Sequence, residues 1–241
     1  MDVHWLEQTE ADVPTDNAWL SVNEIVRLDG MRFAKRRADW RLGRWTAKRG
    51  LVAYLRLPTH PQLLAKIELL PKATGAPEVF FANERVAVTL SLSHRDRRAV
   101  CAMSRYGVEL GCDLEMIEPR SEEFIADYFA TEEQARIAQA SVTERSRLLA
   151  LLWSGKESAL KALHEGLRLD TRSVIVSCLG ESFDLNGWSS LQVRCADNRV
   201  FHGWWQHTDH VVRTLVADPA PAAPIILKIP AYSPGNAYRC A

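Results

Sequence analysis

The stretch "LLWSGKESALKA", residues 151–162, has the apolar spacing of a helix that packs into a core, but charges interrupt it. Leu152, Trp153 and Ala159 are available to bury the helix, whereas Glu157 and Lys161 lie four residues apart and therefore on one face. An ion pair of this spacing on a solvated surface contributes only about 0.3–0.5 kcal/mol to stability. The pair is therefore either part of a solvated face or part of a site.

A second group of charges stands in "GCDLE", residues 111–115, at the end of a predicted strand. Asp113 and Glu115 are two residues apart, so their side chains project from the same face of the strand. Adjacent carboxylates repel unless a cation or protons intervene, and such oxygen ligands suit Mg²⁺. An exposed strand end is the alternative interpretation. If the helix lies beside this strand, Glu157 adds a third carboxylate and Lys161 supplies an ammonium for a phosphate or a leaving group.

Composition bounds the class of protein. The 241 residues are 47% hydrophobic and 25% charged, which is typical of a soluble globular protein with one large domain or two small ones. The sequence contains no run of about 18 apolar residues, so no membrane span is expected. The first residues lack a signal-peptide pattern, and the five cysteines form neither a disulfide framework nor a zinc pattern. These features predict a cytoplasmic protein without a membrane partner.

The net charge of zero hides an asymmetry along the chain. Residues 27–56 contain ten Lys or Arg against two acidic residues, and residues 109–133 contain nine carboxylates against Arg120 alone. This pattern indicates a polyanionic ligand and a cation bound in different places, or else two solvated helix faces. The basic segment lacks aromatic residues interleaved on its charged face, and an acidic half offsets it, so no nucleic-acid partner is expected.

The periodicities predict an α+β chain. A helix is expected from Glu24 to Leu57, followed by strands joined by a polar turn within residues 85–117. Helices are expected again at 121–140 and 144–166, with Ser121 at a helix start and Gly166 at a stop. Four strands should follow, within 173–179, 191–196, 199–206 and 210–217. The predicted units are an N-terminal half (1–117), a C-terminal half (118–218) and a proline-rich extended tail (219–241).

Other motifs do not match. "SGKES" is not a phosphate-binding loop, because Ala150 stands where the first glycine belongs and Glu157 replaces the hydroxyl residue. The spacing of His202, His207 and His210 matches no familiar zinc site.

The two charged stretches together resemble the signatures of the 4′-phosphopantetheinyl transferases, which read Gly-x-Asp-x-Glu and Trp-x-x-Lys-Glu-x-x-x-Lys. Here "GCDLE" is followed by "WSGKESALKA", with Glu157 44 residues after Asp113. Upstream, "SLSHRD" (91–96) resembles the Ser-His element of the family. "RRADWRLGRWTAK" (36–48) resembles the Arg-rich helix of its Sfp (surfactin-synthetase-activating) type. The resemblance covers about residues 35–165.

The resemblance implies a fold of two similar halves related by a pseudo-two-fold axis, each a small antiparallel sheet packed with helices. It implies a monomer that binds coenzyme A in the cleft between the halves. Mg²⁺, or Mn²⁺, would be held by the metal ligands Asp113, Glu115 and Glu157. Glu157 and Lys161 would be the catalytic residues, acting on the serine proton and the leaving phosphate. The coenzyme-binding residues would be Arg37, Arg44, Lys48, Ser93 and His94.

The implied reaction transfers 4′-phosphopantetheine from coenzyme A to a serine of an apo acyl- or peptidyl-carrier protein and releases 3′,5′-ADP. One departure concerns a Gly-Lys/Arg-Pro turn of the family, which reads Gly75-Ala76-Pro77 here. Its side-chain contact is either lost or supplied by Lys72, Arg97 or Arg98. Two alternatives remain open: a catalytically silent paralogue that binds coenzyme A or a carrier, and a Mg²⁺-dependent phosphodiester hydrolase.

Overall fold

The computed structural model describes residues 1–183, 187–208, 210–229 and 232. The α-helices are α1 Val22–Asp29, α2 Ala34–Tyr54, α3 Pro61–Leu64, α4 Glu122–Tyr128, α5 Thr131–Gln139 and α6 Val142–Ala162. The strands are β1 His4–Thr9, β2 Ile67–Pro71, β3 Pro77–Phe81, β4 Glu84–Arg85, β5 Val88–Arg95, β6 Arg98–Arg105, β7 Glu109–Met116, β8 Val174–Phe183, β9 Ser189–Cys195, β10 Val200–His207, β11 Val211–Asp218 and β12 Ile225–Ile226.

The strands of the described residues form three sheets. A four-stranded sheet has the order β12-β1-β6-β5, a five-stranded sheet has the order β7-β11-β10-β9-β8, and a small sheet has the order β2-β3-β4. The pairings are antiparallel except for β12, which runs parallel to β1. The α+β class predicted from the periodicities, with antiparallel sheets packed against helices, is therefore confirmed.

The acidic strand β7 lies in a different sheet from the one that its position in the sequence suggests. The sequence places it in the N-terminal half, directly after the β5–β6 hairpin. In the structure β7 is hydrogen-bonded along its whole length to β11, so it is an edge strand of the second sheet. The chain therefore crosses from the first sheet to the second between β6 and β7.

The single helix predicted from Glu24 to Leu57 is wrong, because two helices occupy this segment. α1 ends at Asp29 with Gly30 as its C-cap, and α2 begins at Ala34 after Phe33 in an extended conformation. A capping box of Ser21 and Glu24 sets the start of α1, in which the Ser21 hydroxyl accepts a hydrogen bond from the Glu24 backbone N–H. The break turns α1 back against α2, which brings Glu24 to the basic face of α2.

Three large apolar clusters form most of the core of the described residues, and a small fourth one contains Ala150, Leu151 and Val212. α2 covers the first sheet through a cluster that includes Trp45, Leu51 and Met103. α6 covers the second sheet through a cluster that includes Leu152 and Val176. A third cluster lies between the two sheets and contains Val3, Trp5, Val100, Ala102, Val108, Leu110, Cys112, Leu114, Trp188, Val211, Leu215 and Ala217.

The ends of the described chain meet at one edge of the first sheet. β1, which the sequence analysis did not predict, pairs with β6 on one side and with β12 on the other. Of the predicted tail, residues 219–229 and 232 are described, and its residues 225–226 pair with β1, while 230, 231 and 233–241 lie outside the described residues. Within the described part of the chain, no helix has both the length and the apolar character needed to cross a bilayer.

Candidate active site

Helix α6 places its charged face over the end of β7. Ser154 and Ser158 of α6 hold the helix on the second sheet, since their hydroxyls lie 2.8 and 2.7 Å from the Thr214 hydroxyl of β11. Thr214 is the direct neighbour of Asp113 across the β7–β11 pairing. The helix and the strand that the sequence identified are therefore adjacent, and their charges meet.

Lys161 and Asp113 form the centre of this meeting point. Lys161 Nζ donates hydrogen bonds to Asp113 Oδ1 at 2.7 Å and to the Cys112 carbonyl at 3.1 Å. Ser93 of β5 donates its hydroxyl to the same Asp113 Oδ1 at 2.7 Å. The other carboxylate oxygen, Asp113 Oδ2, is buried and has no hydrogen-bond partner among the described residues.

The other two carboxylates are near enough to Asp113 to affect one another. Burial raises the pKa of Glu115, and the charge of Asp113 raises it further, while Arg95 and Arg120 oppose both effects. Burial also raises the pKa of Glu157, and Asp113 adds to it, while Lys161 opposes the rise. Ionising all three carboxylates is therefore costly unless further positive charge is present.

The donor set suits a divalent cation in its chemistry, although the side chains are not gathered into a formed metal cluster. Among the described residues, no group of three or more His, Cys, Asp or Glu side chains is arranged to hold a metal ion. The buried and unpartnered Asp113 Oδ2, however, is the kind of hard oxygen ligand that Mg²⁺ takes. Lys161 and Ser93 both donate to Oδ1, so Oδ2 is available to a metal ion without breaking either hydrogen bond.

Lys161 also lines a cavity of about 430 Å³ between the first and second sheets. The walls come from α1, α2, the β2–β3 turn, β5, β7 and the segment after α6. Three other basic side chains line it, namely Arg27, Arg44 and His164. A cavity with several cationic side chains and apolar walls suits an anionic ligand with an apolar part.

The predicted coenzyme-binding residues do not share one environment. Arg44 lines the cavity, 3.6 Å from the Glu24 carboxylate, and desolvation lowers its pKa while Glu24 opposes this. His94 is exposed at the end of β5, and its neighbouring charges include Asp113 and Lys161. Desolvation by nearby protein atoms lowers the pKa of this ring. Ser93 contacts Asp113 and therefore orients a site residue in addition to any contact with a ligand.

Lys48 does not fit its predicted role as a phosphate ligand. Its side chain is fully buried, and Nζ bonds to Glu24 as well as to the Trp19 and Leu64 carbonyls at 3.1 and 3.0 Å. Burial lowers the pKa of Lys48, although Glu24 opposes this. The basic pattern of α2 could not reveal this partner, because Glu24 lies in a separate helix.

Arg37 is also placed away from the cavity lining. It donates a hydrogen bond to the Leu28 carbonyl at 2.8 Å and lies 3.9 Å from Asp29.

The turn Gly75-Ala76-Pro77 lines the cavity, so the position at which this chain departs from the family pattern faces the ligand space. Of the three possible substitutes for the basic side chain, Arg97 pairs with Glu10, directly after β1, and Arg98 pairs with Glu7 of β1. Lys72 lies in the same turn and is close enough to His164 to lower its pKa, after desolvation as the larger cause. Lys72 is therefore the substitute nearest to the cavity.

Arg27 and His164 line the cavity but are not among the site residues predicted from the sequence. Arg27 was visible only as one of ten basic residues. His164 follows the end of α6 with a φ of 58°, a left-handed conformation that the sequence pattern does not reveal.

The segment that contains both charged stretches matches a known protein family. Residues 109–214 match the family described as the 4′-phosphopantetheinyl transferase superfamily. The matched segment begins with the first residue of β7 and ends within β11, so it includes α6 and the strands on which α6 packs.

Two curated relatives extend the similarity beyond this segment. The chain is 24% identical over 200 residues to the 4′-phosphopantetheinyl transferase HetI of Nostoc sp. (strain PCC 7120), covering 81% of this chain and 82% of that protein. It is 25% identical over 219 residues to slr0495 of Synechocystis sp. (strain PCC 6803), which is provisionally named for the same activity, covering 83% of each chain.

Proposed function

We propose that this chain, whose residues 109–214 match the 4′-phosphopantetheinyl transferase superfamily, is a transferase that moves 4′-phosphopantetheine from coenzyme A to a serine of an apo acyl- or peptidyl-carrier protein. The observation that carries the proposal is the ion pair of Lys161 with Asp113 at the wall of a cavity lined by cationic side chains. The pair joins the two charged signatures, and the cavity supplies space for an anionic substrate beside them.

The cavity suits the nucleotide end of coenzyme A. This part of the molecule carries a pyrophosphate and a 3′-phosphate, and charge-assisted hydrogen bonds from basic side chains are the strong kind. Arg44 and Arg27 would bind phosphate oxygens from the first half of the molecule, and Lys161 would do so from α6. His94 would contribute a donor at the open edge, next to Ser93.

Asp113, Glu115 and Glu157 would hold a divalent cation, Mg²⁺ or Mn²⁺. When bound, this ion would offset negative charge on the pyrophosphate and on the groups that develop charge during transfer. The raised pKa values of Glu115 and Glu157 agree with a site that is short of positive charge.

The side chains of α6 would move the protons of the reaction. The serine hydroxyl of the carrier forms a new O–P bond to the phosphorus that bears pantetheine, and the P–O bond to the nucleotide breaks, which releases 3′,5′-ADP. Glu157 would accept the serine proton, because a carboxylate with a raised pKa is a better base than an unperturbed one. Lys161 would donate to the departing phosphate oxygen, since it is protonated beside Asp113.

We propose the Sfp type and a monomer on the two-halved length and the Arg-rich helix, and a cytoplasmic location on the five cysteines, whose spacing forms no disulfide framework. Lys156, the first lysine of the signature, has a structural role in this proposal, because it is fully buried in an ion pair with Glu133.

The test is the intact mass of several apo-carrier proteins after incubation with this protein, coenzyme A and Mg²⁺. A gain of one phosphopantetheine, lost with EDTA or with Glu157→Gln, supports transfer and its metal dependence. Binding of coenzyme A without any gain would indicate a silent paralogue. Cleavage of coenzyme A in the absence of a carrier would indicate a hydrolase.

A further inference from the structure

Gly111, two residues before Asp113 on β7, lies directly beneath α6. A Cβ atom at this position would stand 1.8 Å from the Ser158 carbonyl oxygen and 2.8 Å from the Ala162 backbone nitrogen. Both atoms belong to the backbone of α6, so no side-chain rotation can relieve the contact. The helix therefore occupies the space that any side chain at residue 111 would need.

The conformation of Gly111 does not itself require glycine. The residue lies within β7 in the regular pairing with β11, opposite Val216, and it is not among the residues with a positive φ. The reason for glycine is the close approach of another backbone, which is one of the uses of glycine within strands.

The segment of α6 that contacts Gly111 is also the segment that carries the charged residues of the site. Ser158 follows Glu157 directly, and Ala162 follows Lys161 directly. From this turn Lys161 reaches Asp113 at 2.7 Å and the Cys112 carbonyl at 3.1 Å. We propose that Gly111 is a positioning residue, whose missing side chain lets α6 lie close enough to β7 for Lys161 and Glu157 to meet the carboxylates of the strand.

The helix has little freedom to accommodate a side chain at residue 111. Ser158 and Ser154 are tied to the Thr214 hydroxyl on the neighbouring strand, and all three side chains are buried. To relieve a 1.8 Å contact, α6 would have to retreat by roughly 1–2 Å, because non-bonded carbon and oxygen atoms need more than about 3 Å. A hydrogen bond of 2.7 Å does not survive such a displacement along its own direction.

The effect on transfer, which rests on the proposed function, should appear in the rate. A misplacement of about 1 Å in a catalytic group lowers rates by about 100-fold. Arg27 and Arg44 line the cavity from α1 and α2 and would still hold coenzyme A, so loss of the Lys161 contact should weaken its binding less than it lowers the rate.

A matched control exists on β10. A Cβ at Gly203 would stand 1.9 Å from the Leu215 carbonyl oxygen, which is nearly the same overlap with a neighbouring backbone. That contact lies between β10 and β11 and involves no atom of α6. Gly203→Ala therefore reports the general cost of such an overlap, and it can reach the charged turn of the helix only indirectly, through β11.

The first experiment compares crystal structures of Gly111→Ala and Gly203→Ala. In Gly111→Ala, Lys161 Nζ should lie more than about 4 Å from Asp113 Oδ1, whereas the pair should persist in Gly203→Ala. An intact ion pair with α6 unmoved in Gly111→Ala would overturn the proposal. The Lys161–Asp113 distance does not depend on activity, so it tests the positioning role of Gly111 even if the wild-type protein transfers nothing.

The second experiment measures transfer kinetics. Gly111→Ala should lower kcat by about 100-fold and change KM for coenzyme A by less than about threefold, while Gly203→Ala keeps kcat within about threefold. Equal losses in both variants would reduce Gly111 to a structural residue and overturn the proposal.

If Gly111→Ala does not fold, Ser158→Ala provides the test, because it removes the hydroxyl that seats the same turn without adding volume. Its kcat should fall several-fold at unchanged KM, and an unchanged kcat would contradict the positioning of the helix.

Discussion

At the scale of single residues, the two lysines of α6 show how differently one residue type is used. Lys156 is fully buried and pairs with the buried Glu133 at 2.6 Å, and Nζ also donates to the Thr171 carbonyl at 2.8 Å. Desolvation lowers the pKa of Lys156, and Glu133 opposes this. Lys161 has 28% of its side chain exposed. Burial alone would lower the pKa of Lys161, but Asp113 and Cys112 raise it overall.

The first prediction separates these two roles. Lys156→Met should lower the free energy of unfolding by roughly 3–5 kcal/mol, because Glu133 would remain as a buried charge without its partner. Lys161→Met should lower kcat by at least about tenfold and cost much less stability, since Asp113 keeps the hydrogen bond from Ser93. Urea unfolding measures the free energy of unfolding, and the transfer assay measures kcat.

The control is the double variant Glu133→Leu/Lys156→Met, which removes both buried charges and should recover most of the stability lost in Lys156→Met. A Lys161→Met protein with wild-type kcat would remove that side chain from the reaction.

The second prediction concerns two arginines of α2. Arg44→Ala should weaken binding of coenzyme A by about tenfold, because Arg44 lines the cavity. Binding of the analogue without the 3′-phosphate should change less if Arg44 contacts that group. Arg37→Ala is the matched control, since Arg37 is not among the lining residues. Isothermal titration calorimetry with both ligands measures the affinities, and equal losses of affinity in Arg44→Ala and Arg37→Ala would contradict the prediction.

At the scale of elements, the packing of α2 is set by glycines as well as by tryptophans. A Cβ at Gly43 would meet no atom within 4 Å, whereas a Cβ at Gly50 would stand 2.5 Å from Met103 Cε on β6. Gly50 thus lets the buried part of α2 approach the first sheet. Gly43 has no such contact, and in a helix interior it costs about 1 kcal/mol relative to alanine.

The third prediction follows from this contrast. Gly43→Ala should stabilise the protein by about 0.5–1 kcal/mol and raise Tm by a few degrees, because it lowers the entropy of the unfolded chain without a clash. Gly50→Ala should destabilise it, because Met103 must move in a packed core. Differential scanning calorimetry measures both, and a lower Tm for Gly43→Ala would contradict the open space at that position.

At the scale of the whole molecule, the segment after β11 connects the two sheets. Trp204 of β10 donates Nε1–H to the Pro221 carbonyl at 3.1 Å, and the Ile225 and Leu227 amides donate to the Val3 and Trp5 carbonyls at 2.9 and 2.8 Å. Tyr232 then contacts Trp45 of α2 edge-on at a ring distance of 4.9 Å. The segment therefore covers the open edge of β1 and holds the second sheet to the first.

The fourth prediction is that a chain ending after Asp218 loses on the order of 2–4 kcal/mol of stability, from the lost backbone hydrogen bonds and apolar contacts. The uncovered β1 edge should also increase self-association. A chain ending after Tyr232 keeps every tail contact that the structure describes and serves as the control. Chemical denaturation and size-exclusion chromatography compare the two, and equal stability would contradict this role of the tail.

Much of the local structure could be predicted from the sequence, because it depends on neighbours along the chain. The alternation in residues 85–117 predicted β5, β6 and β7, and Ser121 caps α4 through a hydrogen bond from the Phe124 amide. The charged face of α6 could be recognised from the i, i+4 spacing of Glu157 and Lys161. The break at Gly30 was missed because the apolar pattern continues across it.

The sequence by itself therefore determined the α+β class, most of the helices and strands, and the charged residues of the candidate site. Only the tertiary structure decided that β7 pairs with β11, that Lys48 and Lys156 are buried in ion pairs, and that Lys161 reaches Asp113. The physical reason is that periodicity and capping act over a few residues. Burial and charge pairing, in contrast, depend on contacts such as Glu24 with Lys48 or Gly111 with Ser158, which are distant in sequence.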